Sequence, residues 1–110
     1  MTAHLFVMYP QPRDPKAFDR AYREQHLPFA GPRLHGATGV VSERVVASPT
    51  GAAGFYAISD VTFPTLAVLQ ECAGSVGGKE ALAHAASIST GGPPTVLVLT
   101  DDLASATGST

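Results

Sequence analysis

Four residues of this 110-residue chain pair a reactive side chain with a position where it can act: His26, Asp60, Tyr9 and Tyr56. His26 falls at the predicted end of an amphipathic helix, about 80° round the ideal helical wheel from Phe18. That is the border of the helix's buried stripe. The negative end of the helix favours a protonated imidazole there, and burial opposes it. A histidine poised near neutral pH is the commonest general acid or base. The alternative is a structural histidine that caps the last carbonyls. Asp60 lies mid-strand between apolar neighbours, on a face shared with Tyr56 and Ile58. Carboxylates are seldom buried unless paired, and perturbed acids gather at sites; otherwise Asp60 is an edge residue facing water. Tyr9 and Tyr56 each offer a phenol for a substrate carbonyl or phenol, or else pack with the hydroxyl at a rim. Tyr22, on the helical stripe, reads as core.

The remaining reactive types carry less. His4 precedes the first strand, His35 sits beside Gly36 in a loop, and His84 is expected on a solvated helix surface. These histidines lack a cysteine partner and a His-x-His or His-x-x-x-His spacing, so no metal site is expected. Cys72 reads as a small buried hydrophobe. Gly74, Gly77 and Gly78 do not follow a strand, so they are not a phosphate loop.

The elements that must hold these residues follow from periodicity and punctuation. Leu5 to Tyr9 is a first strand stopped by Pro10 and Pro12. Asp14-Pro15 starts a helix, with Asp14 as cap and Pro15 at the first helical position. Phe18, Ala21, Tyr22, Gln25 and Phe29 form its stripe. Pro28 disfavours helical backbone at Leu27, so the helix should end or kink near His26. Strands are expected over Gly39 to Ala47, Phe55 to Phe63 and Thr95 to Thr100. Between the last two lie helical pieces over Leu66 to Ala73, capped by Thr65, and over Lys79 to Ala86. The order β-α-β-β-α-β is the ferredoxin-like arrangement, an α+β fold whose four-stranded antiparallel sheet carries two helices on one face. One domain over 1–103 and a loose tail over 104–110 account for the chain.

An antiparallel sheet with one wet face alternates apolar and polar residues. The first strand does not (Leu5, Val7 and Tyr9 against Phe6 and Met8), and neither does the last. Only 15% of residues are charged, well below the usual quarter, while 45% are hydrophobic. A homodimer through the sheet face away from the helices is the simplest cover; a folded-over tail is the alternative. The net charge of −2 and the mixing of Arg13, Lys16, Arg20 and Arg23 with acidic residues argue against nucleic acid. With neither a leader-like segment nor a long apolar run, a cytoplasmic protein without membrane partners is expected.

The run Leu5-Phe-Val-Met-Tyr-Pro, then Asp14-Pro15, Phe18 and Tyr22-Arg-Glu-Gln-His26-Leu-Pro28, resembles the opening of the EthD family. Phe63-Pro-Thr65 and Ser75-Val-Gly-Gly78 match that family's later helix start and helix break more loosely. The resemblance covers about residues 4 to 101. It implies a dimeric α+β barrel with a pocket in each protomer, and it adds weight to His26 and Tyr9. Where family members often carry an acidic residue near the end of the second helix, this chain has His84. Ile88 stands in place of a common aromatic.

Together these features predict a cofactor-independent enzyme acting on a small apolar, carbonyl-bearing or phenolic molecule by isomerisation, dehydration or cyclisation. His26 would move the proton, with Tyr9, Tyr56 or Asp60 holding the substrate oxygen. The rivals are a non-catalytic ligand-binding accessory protein using the same pocket and a cofactor-free monooxygenase.

Overall fold

The computed structural model of the protein describes residues 1–104; the expected tail, beyond Ala104, lies outside them. Strand β1 (Ala3–Tyr9) leads to helix α1 (Pro15–Ala21), a π-helical turn (Tyr22–His26), a short α2 (Leu27–Ala30) and a 3₁₀ turn (Gly31–Arg33). Strands β2 (Gly39–Arg44) and β3 (Ala57–Phe63), helices α3 (Leu66–Gly74) and α4 (Val76–Ile88), and strand β4 (Thr95–Thr100) follow. The sheet order is β2-β3-β1-β4 with antiparallel pairing throughout, the expected ferredoxin-like topology.

The predicted caps form. Asp14 accepts from the Ala17 amide at 3.2 Å and Thr65 from the Val68 amide at 3.1 Å, each supplying an orphan donor of a first turn. At Ser75 the chain turns from α3 into α4, and the serine Oγ accepts from the Gly78 amide at 3.0 Å. Gly77 and Gly78 therefore belong to the first turn of α4 and do not separate it from α3. A side chain at Gly78 would place its Cβ 1.9 Å from the Cys72 carbonyl oxygen, so the close α3–α4 junction requires glycine.

The first helix departs from expectation in an informative way. It neither ends nor breaks at His26 but widens into a π turn, with the Leu27 amide bonded to the Tyr22 carbonyl. The wide turn accommodates one extra residue, so the eight-residue step from Phe18 to His26 turns like seven. That brings His26 back to within about 20° of Phe18. Pro28, which has no N–H to give, sits in the first turn of the helical segment that follows. His26 is thereby carried from the stripe border to the buried face, at 8% exposure.

The odd residues of β1 and β3 face the helices. They build two joined apolar clusters, one around Leu5, Val61, Phe63 and Leu69, the other around Val7, Tyr9, Phe18 and Ile88. On the opposite face Phe6 and Met8 are half-buried. The outer strand β4 is open on both sides: Val96 and Val98, in register with Val7 and Leu5, are as exposed as Leu97 and Leu99. No helix of the described residues is long and apolar enough to cross a membrane.

Candidate functional site

Between the sheet and the helices lies an apolar cavity of about 40 Å³, walled in part by Leu5, Val7, Ala30, Leu34, Val61 and Leu82. Its polar members are Tyr9, Tyr22, His26 and Ser59. Room for a water needs about 10–15 Å³, so the cavity admits only a few water-sized groups. A wider vestibule of about 290 Å³ shares Tyr22, Leu27 and Ser59 with it as a common wall and is lined further out by Asp19, Arg23 and Arg44. The two spaces adjoin at Tyr22, Leu27 and Ser59.

His26 lines the chamber, and its environment is set by rings. Tyr22 packs against it with ring centroids 5.5 Å apart, and the His84 ring lies nearly parallel to it, at 12°, with centroids 5.2 Å apart. The two histidines meet through their Nδ1 atoms at 2.9 Å. Phe29 stacks on His84 at 4.7 Å, and the Arg33 guanidinium lies 3.6 Å over Phe29. Burial, and then the neighbouring His84, push the His26 pKa down to about 4. At neutral pH its imidazole is uncharged. With Nδ1 engaged, Nε2 is left without a protein partner among the described residues. The expected solvated position of His84 is corrected: it is half-buried against His26.

Tyr9 is fully buried, edge-on to Phe18 at 5.0 Å and to Tyr22 at 5.9 Å. Its hydroxyl is a buried polar group with no hydrogen-bond partner among the described residues. Burial, and then the adjacent Tyr22, hold that phenol far above its ordinary range, so it stays protonated at neutral pH. A buried hydroxyl without a partner costs about 1–3 kcal/mol. The chamber thus presents one unmet donor.

Tyr22 was expected to be simple core, yet its hydroxyl bonds both Ser59 Oγ, at 2.5 Å, and Ser42 Oγ. The register that pairs Ser42 with Ser59 puts both hydroxyls on the helix side, where Tyr22 reaches them. Two serines on neighbouring strands were the available signal.

Tyr56 and Asp60 do not share a face. Strand β3 begins at Ala57, so the alternation does not extend back to Tyr56. Its ring packs edge-on against Phe18 at 5.6 Å, and its hydroxyl donates to Asp19 at 2.9 Å and also meets Arg44. Arg44 pairs with Asp19 at 3.0 Å. Hydrogen bonds from Arg44 and Tyr56 and the charge of Arg44 hold the Asp19 carboxyl low, outweighing the burial that would raise it. Tyr56 therefore stands at the vestibule rim. Asp60 lies on the opposite face of the sheet, paired with His4 at 2.8 Å, and takes no part in the chamber. His35 is outside the lining of the chamber, and Cys72 is buried in the apolar cluster, its thiol pKa raised by burial. Among the described residues no group of three or more His, Cys, Asp or Glu could hold a metal ion.

No family model matches the chain, and no curated protein does. Solved structures do. An ethyl tert-butyl ether degradation (EthD) family protein from Bacillus halodurans is 27% identical over 91% of this chain and 98% of its own, with a TM-score of 0.80. An EthD-like protein from Ralstonia eutropha is 19% identical over 92% of each chain, at 0.69. A dimeric ferredoxin-like protein of unknown function from Jannaschia is 20% identical over 90% and 97%, at 0.62. The similarity to these EthD structures covers 91–92% of this chain, matching the span of about residues 4 to 101 expected from the sequence. More distant structures of the same fold include a hydroxynitrile lyase from Passiflora edulis and a cofactor-independent oxygenase from Streptomyces nogalater, 13% and 10% identical. The fold alone therefore does not choose an activity.

Proposed function

We propose, with the EthD-like fold as premise, that the protein is a cofactor-independent enzyme moving protons on a small apolar carbonyl-bearing or phenolic molecule. Isomerisation, dehydration and cyclisation are all proton transfers of this kind. The observation that carries the reading is one uncharged, buried imidazole in the same apolar chamber as one unpaired phenol. His26 Nε2 would accept a proton next to a carbonyl and return it elsewhere, while the Tyr9 hydroxyl would donate to the oxygen on which charge develops. Apolar walls with a few placed polar groups are the usual make-up of a small-molecule site. Tyr56, with Arg44 and Asp19, would meet whatever part of the ligand stays in the vestibule.

The working unit in this reading is a homodimer. Phe6, Met8, Leu97 and Leu99 leave the sheet's outer face apolar, and both sides of β4 stand open, which a second copy would cover. Burial there would also stiffen the sheet that floors the chamber.

The test is deuterium incorporation in D₂O next to the carbonyl of a panel of apolar ketones and lactones, 2-tetralone among them, followed by NMR. We expect exchange above the buffer rate with the protein and its loss, by about a hundredfold or more, in His26→Ala. Ligands that bind equally to both proteins without exchange would identify a carrier. Oxygen uptake with an activated phenol would identify a monooxygenase. Either result overturns the proposal.

A further inference from the structure

We infer that His84 is a positioning residue for His26, the two imidazoles forming a dyad that shares a single proton between their Nδ1 atoms. The argument starts from the 2.9 Å separation. Two ring nitrogens at that distance bond only if one carries a hydrogen and the other a lone pair. If His26 holds the shared proton, its Nε2 is a bare lone pair and a base. If His84 holds it, His26 Nε2 carries hydrogen and is an acid. Converting one into the other takes three linked moves: a proton gained at His26 Nε2, the shared proton passed across the bond, and a proton released from His84 Nε2.

The surroundings fix this geometry. Phe29 and the Arg33 guanidinium continue the stack beyond His84, and Arg33 is itself held by Glu80 on α4 at 3.5 Å. The titratable groups around the pair are Tyr22 on its own helical segment, Tyr9 on β1, and the Arg33–Glu80 pair. β3 contributes only the Ser59 hydroxyl. Among the described residues no carboxylate bonds to either ring, so the dyad is uncharged when it shares one proton and carries one positive charge when it takes another. A second added proton gives both Nδ1 atoms a hydrogen and breaks the bond.

Resting on the proton-transfer reading of the chamber, the dyad also supplies an exit. When His26 Nε2 takes a proton from a substrate carbon, the Nδ1 proton of His26 passes to Nδ1 of His84. His84 then releases its Nε2 proton to water, and the substrate is left as its enolate. The dyad ends uncharged, as it began. A neutral pair suits uncharged substrates whose charge appears only during reaction.

The experiment uses the full chain with ¹⁵N-labelled histidine and no ligand. We expect a ¹⁵N–¹⁵N coupling across the His26–His84 bond and two coupled titration steps, the lower one opening the bond. His84→Asp places a carboxylate against Nδ1 and should raise the His26 midpoint by a unit or more, about tenfold in proton affinity. His84→Asn keeps an acceptor but cannot titrate, so a single step should remain. Absence of the coupling, or a His26 midpoint that stays put in His84→Asp, overturns the dyad. If His84→Asp does not fold, two steps persisting in His84→Asn overturn it as well. A dyad seen by NMR beside a silent ketone panel would sink the enzymatic reading and leave this inference standing.

Discussion

At the level of single residues the chamber holds buried polar groups that cost stability, and the cost can be measured. The pKa of His26 is held down to about 4, against an ordinary value near 6.5. The unfolded chain therefore binds the proton first as pH falls. The folded state keeps the full benefit of neutral His26 above about pH 6.5 and loses it progressively toward pH 4, on the order of 2 kcal/mol after allowance for solvent screening. Urea melts across this window should show that slope in the native protein and lose it in His26→Gln. Tyr9 makes the opposite kind of prediction. Because its hydroxyl is buried and unpaired, Tyr9→Phe should be as stable as the native protein or up to about 1 kcal/mol more stable. The same change should slow exchange on carbonyl ligands. A loss of 2 kcal/mol or more in the denaturation midpoint would show that the hydroxyl has a structural partner.

At the level of elements, the two sharpest features are backbone ones. The α3–α4 junction has the Gly78 position pressed on the Cys72 carbonyl. Gly78→Ala should cost about 2–4 kcal/mol, whereas Gly74→Ala, with open space around it, should be neutral or gain up to about 1 kcal/mol. Thermal melts of the two variants separate close packing from generic helix propensity. The π turn is the other feature, and it marks where sequence reading stops. The element order, the caps at Asp14 and Thr65 and the stripe through Phe18 and Tyr22 are local and legible in the sequence. A change of helical pitch is not: periodicity counts residues as if every turn were alike, so His26 was placed at a border when it is buried. Tyr56 was assigned to the wrong face because β3 begins two residues later than its apolar run. The His26–His84, His4–Asp60 and Tyr22–Ser42–Ser59 groupings bring together residues far apart in sequence. Register and helix docking create them, and no spacing rule anticipates that.

At the level of the whole molecule, the open sheet face gives the clearest expectation. Sedimentation at micromolar concentration should yield twice the protomer mass, and Leu97→Glu on the open face should halve it while leaving the circular dichroism of the fold in place. A native mass near one protomer would sink the dimer. The His4–Asp60 pair sits on that same face, so a buried interface would enclose it between the two copies. One further consequence concerns light. The chain has no tryptophan and three tyrosines. Tyr9 and Tyr22 line the chamber, and Tyr56 is bonded to Asp19 and Arg44 of the vestibule. The protein's tyrosine emission thus originates at the candidate site and its rim. An unlabelled ligand entering it should change that emission directly, which makes the molecule its own optical reporter of occupancy.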